Sequence, residues 1–429
     1  MTAWAYNTEA YKKLKAQIDT DPDFVAALEL SLQMAGFKAR TELKPELYLA
    51  LDRVFGGEGK GWPTTSEGYL AYIAKYVVLI PDEQNDPELP YAWTNTGEKN
   101  GYNQKVYDLL CQFYLLVDQP LHGLGIGTLQ DYTHGDFVFA DWLRTFATDW
   151  GIFLDHPVSF NSMTKASFFA DPMYNMDWYK DNASSWNSFN EFFYRQFNGA
   201  NEKGQSPLRP IAEPGNNNAI VSSADCTYIQ QYPIDEEGRV LGLDGKPTSV
   251  TLKNTHQVFT IHELLQDEEL AEKFNGGTFV HYFLSPFDYH RFHSPSSGKV
   301  RECRHVQGNV FLDVNLGDGE FHAPDSAVGG YEFNQSRGVF VVDTEGPAGL
   351  VASVPIGMAQ VSGVDMRDLK DKYVAKGDEF GKFKFGGSDT ILLFQKNPDL
   401  YLFEKDPGHN PIHFQYGQVA AYWNVAEQQ

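Results

Sequence analysis

The feature of this sequence that most constrains its fold is a change of residue pattern along the chain. From Ile220 onward, short runs of apolar and β-branched residues alternate with turn residues, a pattern that predicts β-strands. Before residue 158, apolar residues recur at helical spacing, as Tyr11, Leu14 and Ile18 do. We therefore expect an α+β fold, with a mainly helical domain over residues 1–158 and a β-rich domain over residues 159–429.

Individual elements can be predicted within this division. Apolar stripes predict helices over residues 106–116 and 137–153, and aromatic residues within 182–197 predict a further helix. Pro, Asn and Asp residues between 81 and 99 predict a loop. The clearest strand predictions are Thr278–Val280, Asn309–Val314, Gly338–Val342, Gly349–Val354 and Ile391–Phe394.

The charge of the chain excludes some classes of partner. A formal net charge of −23 disfavours binding to nucleic acid or to anionic lipid, because both are negatively charged. The N-terminus does not resemble a signal peptide, and no apolar run is long enough to span a bilayer. We therefore expect a soluble, cytoplasmic protein without an integral membrane span.

Motifs for metals and nucleotides are also missing from the sequence. The three Cys residues lie far apart, and the 12 His residues include no H-E-x-x-H pattern, so we expect no metal site. The sequence contains no G-x-G-x-x-G motif and no Walker loop, which disfavours nucleotide cofactors.

A short stretch near the C-terminus combines the residues that a self-cleaving peptide bond needs. Gly386 and Gly387 precede Ser388, and an apolar run to Phe394 follows. Glycine tolerates strained backbone conformations and lets another group approach the peptide bond closely, so the Ser388 hydroxyl could attack the Gly387 carbonyl. The simpler alternative is a Gly-Gly turn between two strands.

Two polar clusters in the β-rich half supply partners for that serine. Asp225 lies in a Ser-rich segment that is also typical of a turn, and His290 and His293 lie within Leu284–Pro295. An Asp, a His and a Ser on separate segments can form a nucleophile–base relay, for which Asp225, His293 and Ser388 are the candidates. A serine hydrolase with this relay is one hypothesis, although the G-x-S-x-G motif of α/β-hydrolases is absent.

Taken in order, these motifs resemble those of the phosphatidylserine decarboxylase family. The resemblance covers roughly residues 186–394, where the order and spacing of the motifs agree with the family pattern. The segments that carry it are Phe189–Phe193 with Arg195, Arg209–Ile211, Ser223–Asp225, Leu284–Pro295, Lys376–Gly381 and Gly386–Ser388. The second domain is thereby similar to a decarboxylase catalytic domain.

The family consists of pyruvoyl-dependent decarboxylases, and the resemblance implies roles for individual residues. It implies that the precursor cuts itself between Gly387 and Ser388, so that Ser388 becomes a pyruvoyl group at the start of a 42-residue fragment. Asp225 and His293 would activate the Ser388 hydroxyl. His290, with an unperturbed pKa near neutrality, would deliver a proton during decarboxylation.

The same resemblance implies the cofactor chemistry and the assembly. The pyruvoyl ketone would form a Schiff base with the substrate amine and accept the electrons that departing CO₂ leaves behind. Neither PLP nor a metal would be needed. The cleaved protomers would form a homodimer.

The chain departs from the family pattern beside two of these residues. Ala224 and Cys226 flank Asp225 where the family usually has Pro and Gly, and Asp389 follows Ser388 where the family usually has Thr. Because Ser388 itself is retained, these departures bear on the identity of the substrate rather than on the cofactor.

The helical N-terminal half indicates a particular branch of the family. Asp141–Leu154 resembles the end of an extension found in the soluble branch that decarboxylates free amino acids, including fungal and bacterial L-tryptophan decarboxylases. We therefore expect a free aromatic amino acid as the substrate, with phosphatidylserine as the alternative. A catalytically inactive scaffold is a further hypothesis, but such a protein is free to lose the three relay residues that this chain retains.

Overall fold

The computed structural model has a helical N-terminal part and a β-rich C-terminal part, which confirms the predicted α+β class. It describes residues 2–93, 104–179, 186–252, 255–310, 312–323, 333–357, 363–385 and 388–423, with the backbone alone at 2, 249–252, 255–258 and 388.

The helices are α1 Thr2–Ala5, α2 Glu9–Thr20, α3 Pro22–Glu42, α4 Pro45–Val54, α5 Ser66–Tyr76, α6 Lys105–Leu115, α7 Phe139–Leu154, α8 Ser162–Ala170, α9 Phe189–Phe193, α10 Ile261–Leu265 and α11 Glu268–Glu272. The strands are β1 Thr133–His134, β2 Phe137–Val138, β3 Ala219–Val221, β4 Cys226–Pro233, β5 Ser249–Leu252, β6 Thr255–Val258, β7 Thr278–Leu284, β8 Arg291–His293, β9 Gly298–Val306, β10 Asn315–Gly317, β11 Glu320–His322, β12 Arg337–Asp343, β13 Leu350–Gly357, β14 Val364–Met366, β15 Tyr373–Val374, β16 Glu379–Phe383, β17 Ser388–Phe394, β18 Leu400–Leu402, β19 His413–Phe414 and β20 Val419–Trp423.

Helices in the N-terminal part begin at capping residues of the sequence. The Thr8 hydroxyl accepts a hydrogen bond from Tyr11 N at the start of α2 (3.4 Å), and the Asp21 carboxylate accepts one from Phe24 N at the start of α3 (3.0 Å). Such caps satisfy amide groups that have no partner within the helix. The predicted apolar stripe of α2 faces inward at Leu14, which is buried. No helix within the described ranges is both long and apolar enough to cross a membrane.

Eight antiparallel strands form the central sheet of the β-rich part, in the order β15-β9-β12-β13-β17-β7-β4-β19. Strand β17 lies between β13 and β7, and its first residue, Ser388, is opposite Gly357 of β13 and Leu284 of β7. Smaller sheets include β14-β16-β8 and β18-β20-β3. The predicted cleavage position is therefore at one end of a central strand.

Both faces of the central sheet are buried. Alternate residues of β17 point to opposite faces of the sheet and belong to two different apolar clusters. Leu392 and Phe394 belong to a cluster that also contains residues of the N-terminal helices. Ile391 and Leu393 belong to a second cluster, which includes residues of α10 and α11. A strand covered on both faces has a continuous apolar sequence, which is why this strand could be predicted.

The helical part packs directly against the β-rich part. One apolar cluster contains residues of α2, α3, α6 and α7 together with residues of the central sheet. Hydrogen bonds cross the same boundary, since Gln130 Nε2 donates to Leu312 O (3.2 Å) and Arg144 Nη1 donates to Asn309 Oδ1 (2.9 Å). The two parts share a core, and the domain boundary after residue 158 stays a prediction.

The helix predicted over residues 182–197 is wrong in its extent. Among the residues that the structure describes there, only Phe189–Phe193 is helical. The Arg195 side chain turns inward after this helix, and its guanidinium donates to Phe287 O (2.8 Å) and Asp288 O (3.2 Å). The chain leaves the helix at this point and makes a tertiary contact, which the spacing of the aromatic residues does not predict.

The prediction of a strand at Asn309–Val314 is also wrong for the described residues of that segment, 309–310 and 312–314. Its backbone groups have partners outside any named strand: Asn309 N donates to Asn334 O (2.7 Å), and Val314 N donates to the Asp118 carboxylate (3.0 Å). Residues with high β-propensity form a strand only where a neighbouring strand is available.

The central sheet should be sensitive to the loss of a buried ring. Phe340 on β12 is fully buried and stacks on Phe380, with ring centroids 4.0 Å apart. Phe340→Ala should lower the free energy of unfolding by about 3–5 kcal/mol, because apolar contact is lost and a cavity remains. Urea unfolding followed by circular dichroism measures the loss. The control is Phe37→Ala, because the Phe37 side chain is 72% exposed. An equal loss of unfolding free energy in this variant would contradict the prediction.

Candidate active site

The predicted cleavage position lies where β17 begins. Gly386 and Gly387 lie outside the described residues. The predicted turn and the peptide bond that is predicted to be cleaved lie there too. Ser388 pairs with Leu284, the last residue of β7. The loop that follows β7 therefore starts beside the predicted cleavage position.

This loop and the strand β8 that follows it carry the two predicted histidines. Asp288 closes its first turn, because its carboxylate accepts from Ser285 N (2.8 Å) and its own amide donates to Ser285 O (2.9 Å). The buried Arg195 guanidinium donates to the Asp288 carbonyl oxygen (3.2 Å) and supports the same turn. His290 then lies immediately before β8, and His293 is its last residue.

His293 is fully buried and held in one orientation. Its Nδ1 hydrogen-bonds the Gly377 carbonyl oxygen (2.8 Å), and because a carbonyl oxygen only accepts, Nδ1 carries the proton. Nε2 therefore has the lone pair, and it lies 3.4 Å from Tyr289 Oη. The ring stacks on Tyr416, with centroids 3.8 Å apart. Burial lowers the pKa of His293 to about 4, so at pH 7 the ring is neutral and Nε2 can accept a proton.

The hydrogen-bond acceptor for His293 depends on a glycine. Gly377 has φ = +84°, a backbone conformation that other residues rarely adopt. A Cβ at this position would also lie 2.4 Å from Ile211 Cδ1. Another residue at 377 would displace the turn between β15 and β16, and with it the carbonyl that orients His293.

Asp225 is buried in the bend between β3 and β4. Its carboxylate accepts from Arg209 Nη2 (2.6 Å) and from Tyr416 N (2.8 Å). Tyr416 therefore contacts both predicted relay residues, through its backbone amide at Asp225 and through its ring at His293. In the part of the chain that the structure describes, no direct hydrogen bond joins Asp225 to His293, and the relay stays a prediction.

His290 is a fully buried histidine, and neither ring nitrogen makes a well-formed hydrogen bond to a described residue, although the backbone of Asp288 partly opposes the fall in its pKa. Its ring stacks on Phe193, with centroids 3.9 Å apart. Burial lowers the pKa of His290 well below its usual value, and the charge of Arg195 adds to the shift. The unperturbed value near neutrality therefore does not apply to His290 in this structure, because burial disfavours the charged ring. An unpaired buried polar group costs about 1–3 kcal/mol, which a bound polar ligand would offset.

A row of aromatic rings runs from His290 to helix α7. Phe193 contacts Phe385 nearly edge-on, with centroids 5.3 Å apart, and Phe385 contacts Trp150 of α7 in the same way, also at 5.3 Å. Phe385 and Trp150 are both buried. Phe385 is three residues before Ser388, so this row of rings ends close in sequence to the predicted cleavage position.

A cluster of charges fixes the strand that carries His293. The buried Glu379 carboxylate accepts two hydrogen bonds from Arg291 Nη1 (2.9 Å each) and one from Arg367 Nη2 (2.6 Å). Charge-assisted hydrogen bonds of this kind are stronger than neutral ones. They hold β8 against β16, where His293 pairs with Glu379.

A further buried pair lies next to Ser388. His281 Nε2 on β7 lies 3.4 Å from Asp389 Oδ2, and both side chains are fully buried. The departure from the family pattern at 389 thus places a carboxylate beside an imidazole inside the sheet. A buried carboxylate is tolerated when it has such a partner.

The sequence did not reveal Tyr416 or the pairing of Asp288 with His413. His413 Nε2 lies 3.3 Å from Asp288 Oδ1, and this carboxylate raises the pKa of His413. Together with Arg209 and Asp225, these two side chains line a cavity of about 310 Å³. No spacing rule joins Tyr416 to a catalytic motif, because its contacts are with residues far away in the sequence.

A family comparison agrees with the geometry of the site. The family model described as phosphatidylserine decarboxylase matches residues 189–420. This range contains all four predicted catalytic residues, Asp225, His290, His293 and Ser388, whereas most of the helical part lies outside it.

Curated relatives carry the same family description. The phosphatidylserine decarboxylase proenzyme of Fusobacterium nucleatum subsp. nucleatum is 32% identical over 255 residues, which are 59% of this chain and 75% of that protein. Proenzyme 3 of Schizosaccharomyces pombe is 30% identical over 266 residues, 62% of this chain and 24% of that protein. Proenzyme 2 of Oryza sativa subsp. japonica is 30% identical over 268 residues, 62% of this chain and 38% of that protein. The chain thus spans most of the bacterial relative and less than half of the two eukaryotic ones.

The two buried histidines should make stability depend on pH. The pKa of His293 is about 4 in the folded state and about 6.5 when unfolded, so the unfolded chain binds more protons between these values. Between pH 7.5 and pH 4.5, His293 should therefore lower the free energy of unfolding by about 2–3 kcal/mol. The shift of His290 has the same sign. Urea unfolding across this pH range measures the effect.

The contribution of His290 can be separated by substitution. His290→Phe keeps a ring against Phe193 but removes the titrating group, so stability should fall less steeply on acidification than in the wild type. An unchanged pH dependence in this variant would contradict the lowered pKa of His290.

Proposed function

Because the chain belongs to the phosphatidylserine decarboxylase family, whose members are pyruvoyl-dependent carboxy-lyases, we propose that it is a proenzyme that cleaves itself between Gly387 and Ser388. In this family the cofactor is a pyruvoyl group made from a serine, and neither PLP nor a metal is used. The smaller fragment would have 42 residues and begin at Ser388. The processed protein would remove CO₂ from an α-amino carboxylate.

The observation that carries this proposal is the position of Ser388 at the start of a central strand. It is paired with the end of β7, and the loop after β7 brings two buried histidines, His290 and His293, to the same region. A water-excluded site of this kind suits attack by a neighbouring hydroxyl, because hydrolysis by bulk water is suppressed.

His293 is suited to activating the Ser388 hydroxyl. Its Nδ1 proton is fixed on the Gly377 carbonyl, so Nε2 is the basic atom. It would take the hydroxyl proton as Ser388 Oγ attacks the Gly387 carbonyl carbon, and return a proton to the Ser388 nitrogen as the peptide bond breaks. Elimination from the resulting ester gives the Gly387 carboxylate. Addition of water and loss of ammonia then leave the pyruvoyl group.

Asp225 would act on this step through Tyr416. Its carboxylate fixes the Tyr416 amide, and the Tyr416 ring lies against His293. We therefore infer that Asp225 is a positioning residue for His293 rather than its direct hydrogen-bond partner. The ion pair with Arg209 compensates the charge of the buried carboxylate.

The residues around His290 fit a site that receives a polar ligand. The pyruvoyl carbonyl supplies an electron sink for decarboxylation of a substrate amine. His290 has two ring nitrogens without a partner among the described residues and can accept a hydrogen bond or a proton. A substrate carboxylate beside His290 would raise its pKa, so that the ring gains a proton on binding and can pass it to the α-carbon after CO₂ departs.

Two substrates are candidates. The relatives are named phosphatidylserine decarboxylases, so the comparisons favour phosphatidylserine over the free aromatic amino acid that the sequence predicts. The amino acid is the substrate that the resemblance of Asp141–Leu154 to the amino-acid branch of the family implies. Release of labelled CO₂ from carboxyl-labelled phosphatidylserine in mixed micelles and from carboxyl-labelled L-tryptophan, measured side by side, distinguishes the two.

Self-cleavage should depend on one hydroxyl group. Ser388→Ala should leave a single chain of 48.4 kDa, because the nucleophile is missing, whereas the wild type should give two fragments. Intact-mass spectrometry should also show that the 42-residue fragment has lost ammonia relative to its sequence. Thr390→Val, two residues further along β17, is the control and should be cleaved normally.

Each part of the proposal is contradicted by a different experimental outcome. Two chains from Ser388→Ala would remove the assignment of the cleaved bond. A wild-type protein that stays uncut would contradict the proenzyme proposal. Labelling of Ser388 by a fluorophosphonate in such an uncut chain would support the serine hydrolase hypothesis instead, and no labelling would support the inactive scaffold.

The two histidines should separate maturation from turnover. His293→Ala should slow cleavage by about 10²-fold or more, since general-base catalysis contributes about 10²–10⁴. His290→Ala should be cleaved normally and lose about 10²-fold in kcat on the same ground. Time-resolved gel analysis and CO₂ release measure the two effects, with the exposed His322→Ala as control. If His290→Ala blocks cleavage instead, the two roles are reversed.

A further inference from the structure

The segment from His413 to Tyr416 contacts the candidate site at three points. His413 Nε2 lies 3.3 Å from Asp288 Oδ1. Tyr416 N donates a hydrogen bond to the Asp225 carboxylate (2.8 Å), and the Tyr416 ring stacks on His293, with centroids 3.8 Å apart. The three contacted residues precede the proposed cleavage position, whereas the segment follows it. The 42-residue fragment would therefore supply these contacts to the larger fragment.

Backbone pairing holds this segment in place. Strand β19 pairs with β4 at the edge of the central sheet, with His413 opposite Thr227. The next residue, Phe414, is buried, and its ring contacts Tyr282 of β7 edge-on, with centroids 5.9 Å apart. His413 therefore has a fixed backbone position, from which its side chain reaches the turn that Asp288 closes.

Both ring nitrogens of His413 have polar neighbours. Nδ1 lies 2.9 Å from Thr227 Oγ1, and Nε2 faces the Asp288 carboxylate. An ionised carboxylate only accepts hydrogen bonds, so Nε2 carries a proton in both charge states of the ring. The Thr227 hydroxyl can accept from Nδ1 when the ring is charged and donate to Nδ1 when the ring is neutral. The ring can therefore gain and lose its charge without losing either contact.

The charges around His413 favour its protonated form. The Asp288 carboxylate raises the pKa of His413, and partial burial of the ring opposes this rise. Asp225 raises the pKa further, whereas Arg209 lowers it. The side chain is 45% exposed, so protons reach it from solvent. Because its pKa is raised in the folded state, the stabilisation that His413 contributes is fully present below the unfolded pKa of about 6.5 and is lost as the pH rises through the folded pKa.

Asp288 transmits this charge to the loop that follows β7. Its side chain is 5% exposed, so water compensates little of its charge. Oδ2 accepts from Ser285 N (2.8 Å) and closes the turn, while Oδ1 faces His413. Burial raises the pKa of Asp288, and His413 opposes that rise. Since a buried carboxylate is destabilised when it loses a charged partner, the charge of His413 stabilises the turn that leads directly to His290 and β8.

We propose that His413 is a positioning residue for His290 and His293. Its charged ring holds the turn that Asp288 closes, and this turn places the two histidines for the reaction. The inference rests on the proposed self-cleavage at Ser388 and adds a second contribution from the fragment that Ser388 begins. Self-cleavage, which depends on His293, should therefore be faster below the pKa of His413 than above it.

The pairing can be tested without cleavage, in the uncut Ser388→Ala chain. NMR titration of the histidine ring protons gives the pKa of His413, whose signal is the one missing from His413→Gln. This pKa should lie above the ordinary value of about 6.5 and should fall in Asp288→Asn, because the attracting carboxylate is gone. A His413 pKa that is not raised, or one that Asp288→Asn leaves unchanged, would overturn the inference whether or not the wild-type chain cleaves itself.

The effect on maturation is measured as a ratio of cleavage rates. Precursors of the wild type and of His413→Gln, made by cell-free translation, are transferred to buffers between about pH 6 and about pH 9, which span the titration of a histidine with a raised pKa. Gels follow release of the 42-residue fragment. The wild type should cleave about 2–5-fold faster than His413→Gln at the acidic end, as expected for a partly exposed ion pair. The ratio should approach one at the alkaline end.

The matched control is His322→Gln. His322 Nε2 hydrogen-bonds a backbone carbonyl, Gly317 O (3.1 Å), rather than a carboxylate, so the rate of this variant relative to the wild type should stay near one at every pH. A ratio for His413→Gln that does not change with pH, or that equals the ratio for His322→Gln, would overturn the positioning role while leaving self-cleavage intact. A wild-type precursor that releases no fragment in any buffer would instead overturn the proposed function.

Discussion

The pairing of β17 with β13 and β7 is the constraint on which the rest of the site depends. A one-residue slip of a strand exchanges its two faces, but Ile391–Phe394 is apolar on both, so its hydrophobic pattern alone does not select a register. Asp389 disfavours a one-residue slip, because such a slip would move its carboxylate to the opposite face of the sheet and away from His281.

Burial has opposite consequences for the two site histidines. It lowers the pKa of both, but the contacts of the two rings differ: His293 Nδ1 hydrogen-bonds the Gly377 carbonyl oxygen, whereas the His290 ring stacks on Phe193. His293 is therefore fixed as a neutral base, with its tautomer set by a backbone carbonyl. His290 has no such well-formed hydrogen bond to a described residue, so its tautomer is not set in the same way. Exclusion of water lowers the pKa of both histidines, and their different contacts then give the two rings different properties.

Periodicity and motif order predicted much of this molecule. The stripes of α2, α6 and α7 and the run Ile391–Phe394 have the spacing of helix and buried strand, and four polar residues could be selected because their motifs occur in order. The failures share a cause. The end of α9 and the irregular Asn309–Val314 segment depend on contacts that are distant in sequence. Tyr416 and Asp225, 191 positions apart, are the clearest case.

The position of Ser388 has a consequence for the life of the protein after processing. Strands β17 to β20 lie at or after this residue, and β17, β19 and β20 pair with β13, β7, β4 and β3, which precede it. Cleavage would convert one chain into two interlocked polypeptides without separating them. Folding of the precursor is a first-order event, but reassembly after denaturation would require two molecules to meet. The active form would therefore arise from folding and cleavage of the precursor. After denaturation it would be regained only slowly in dilute solution.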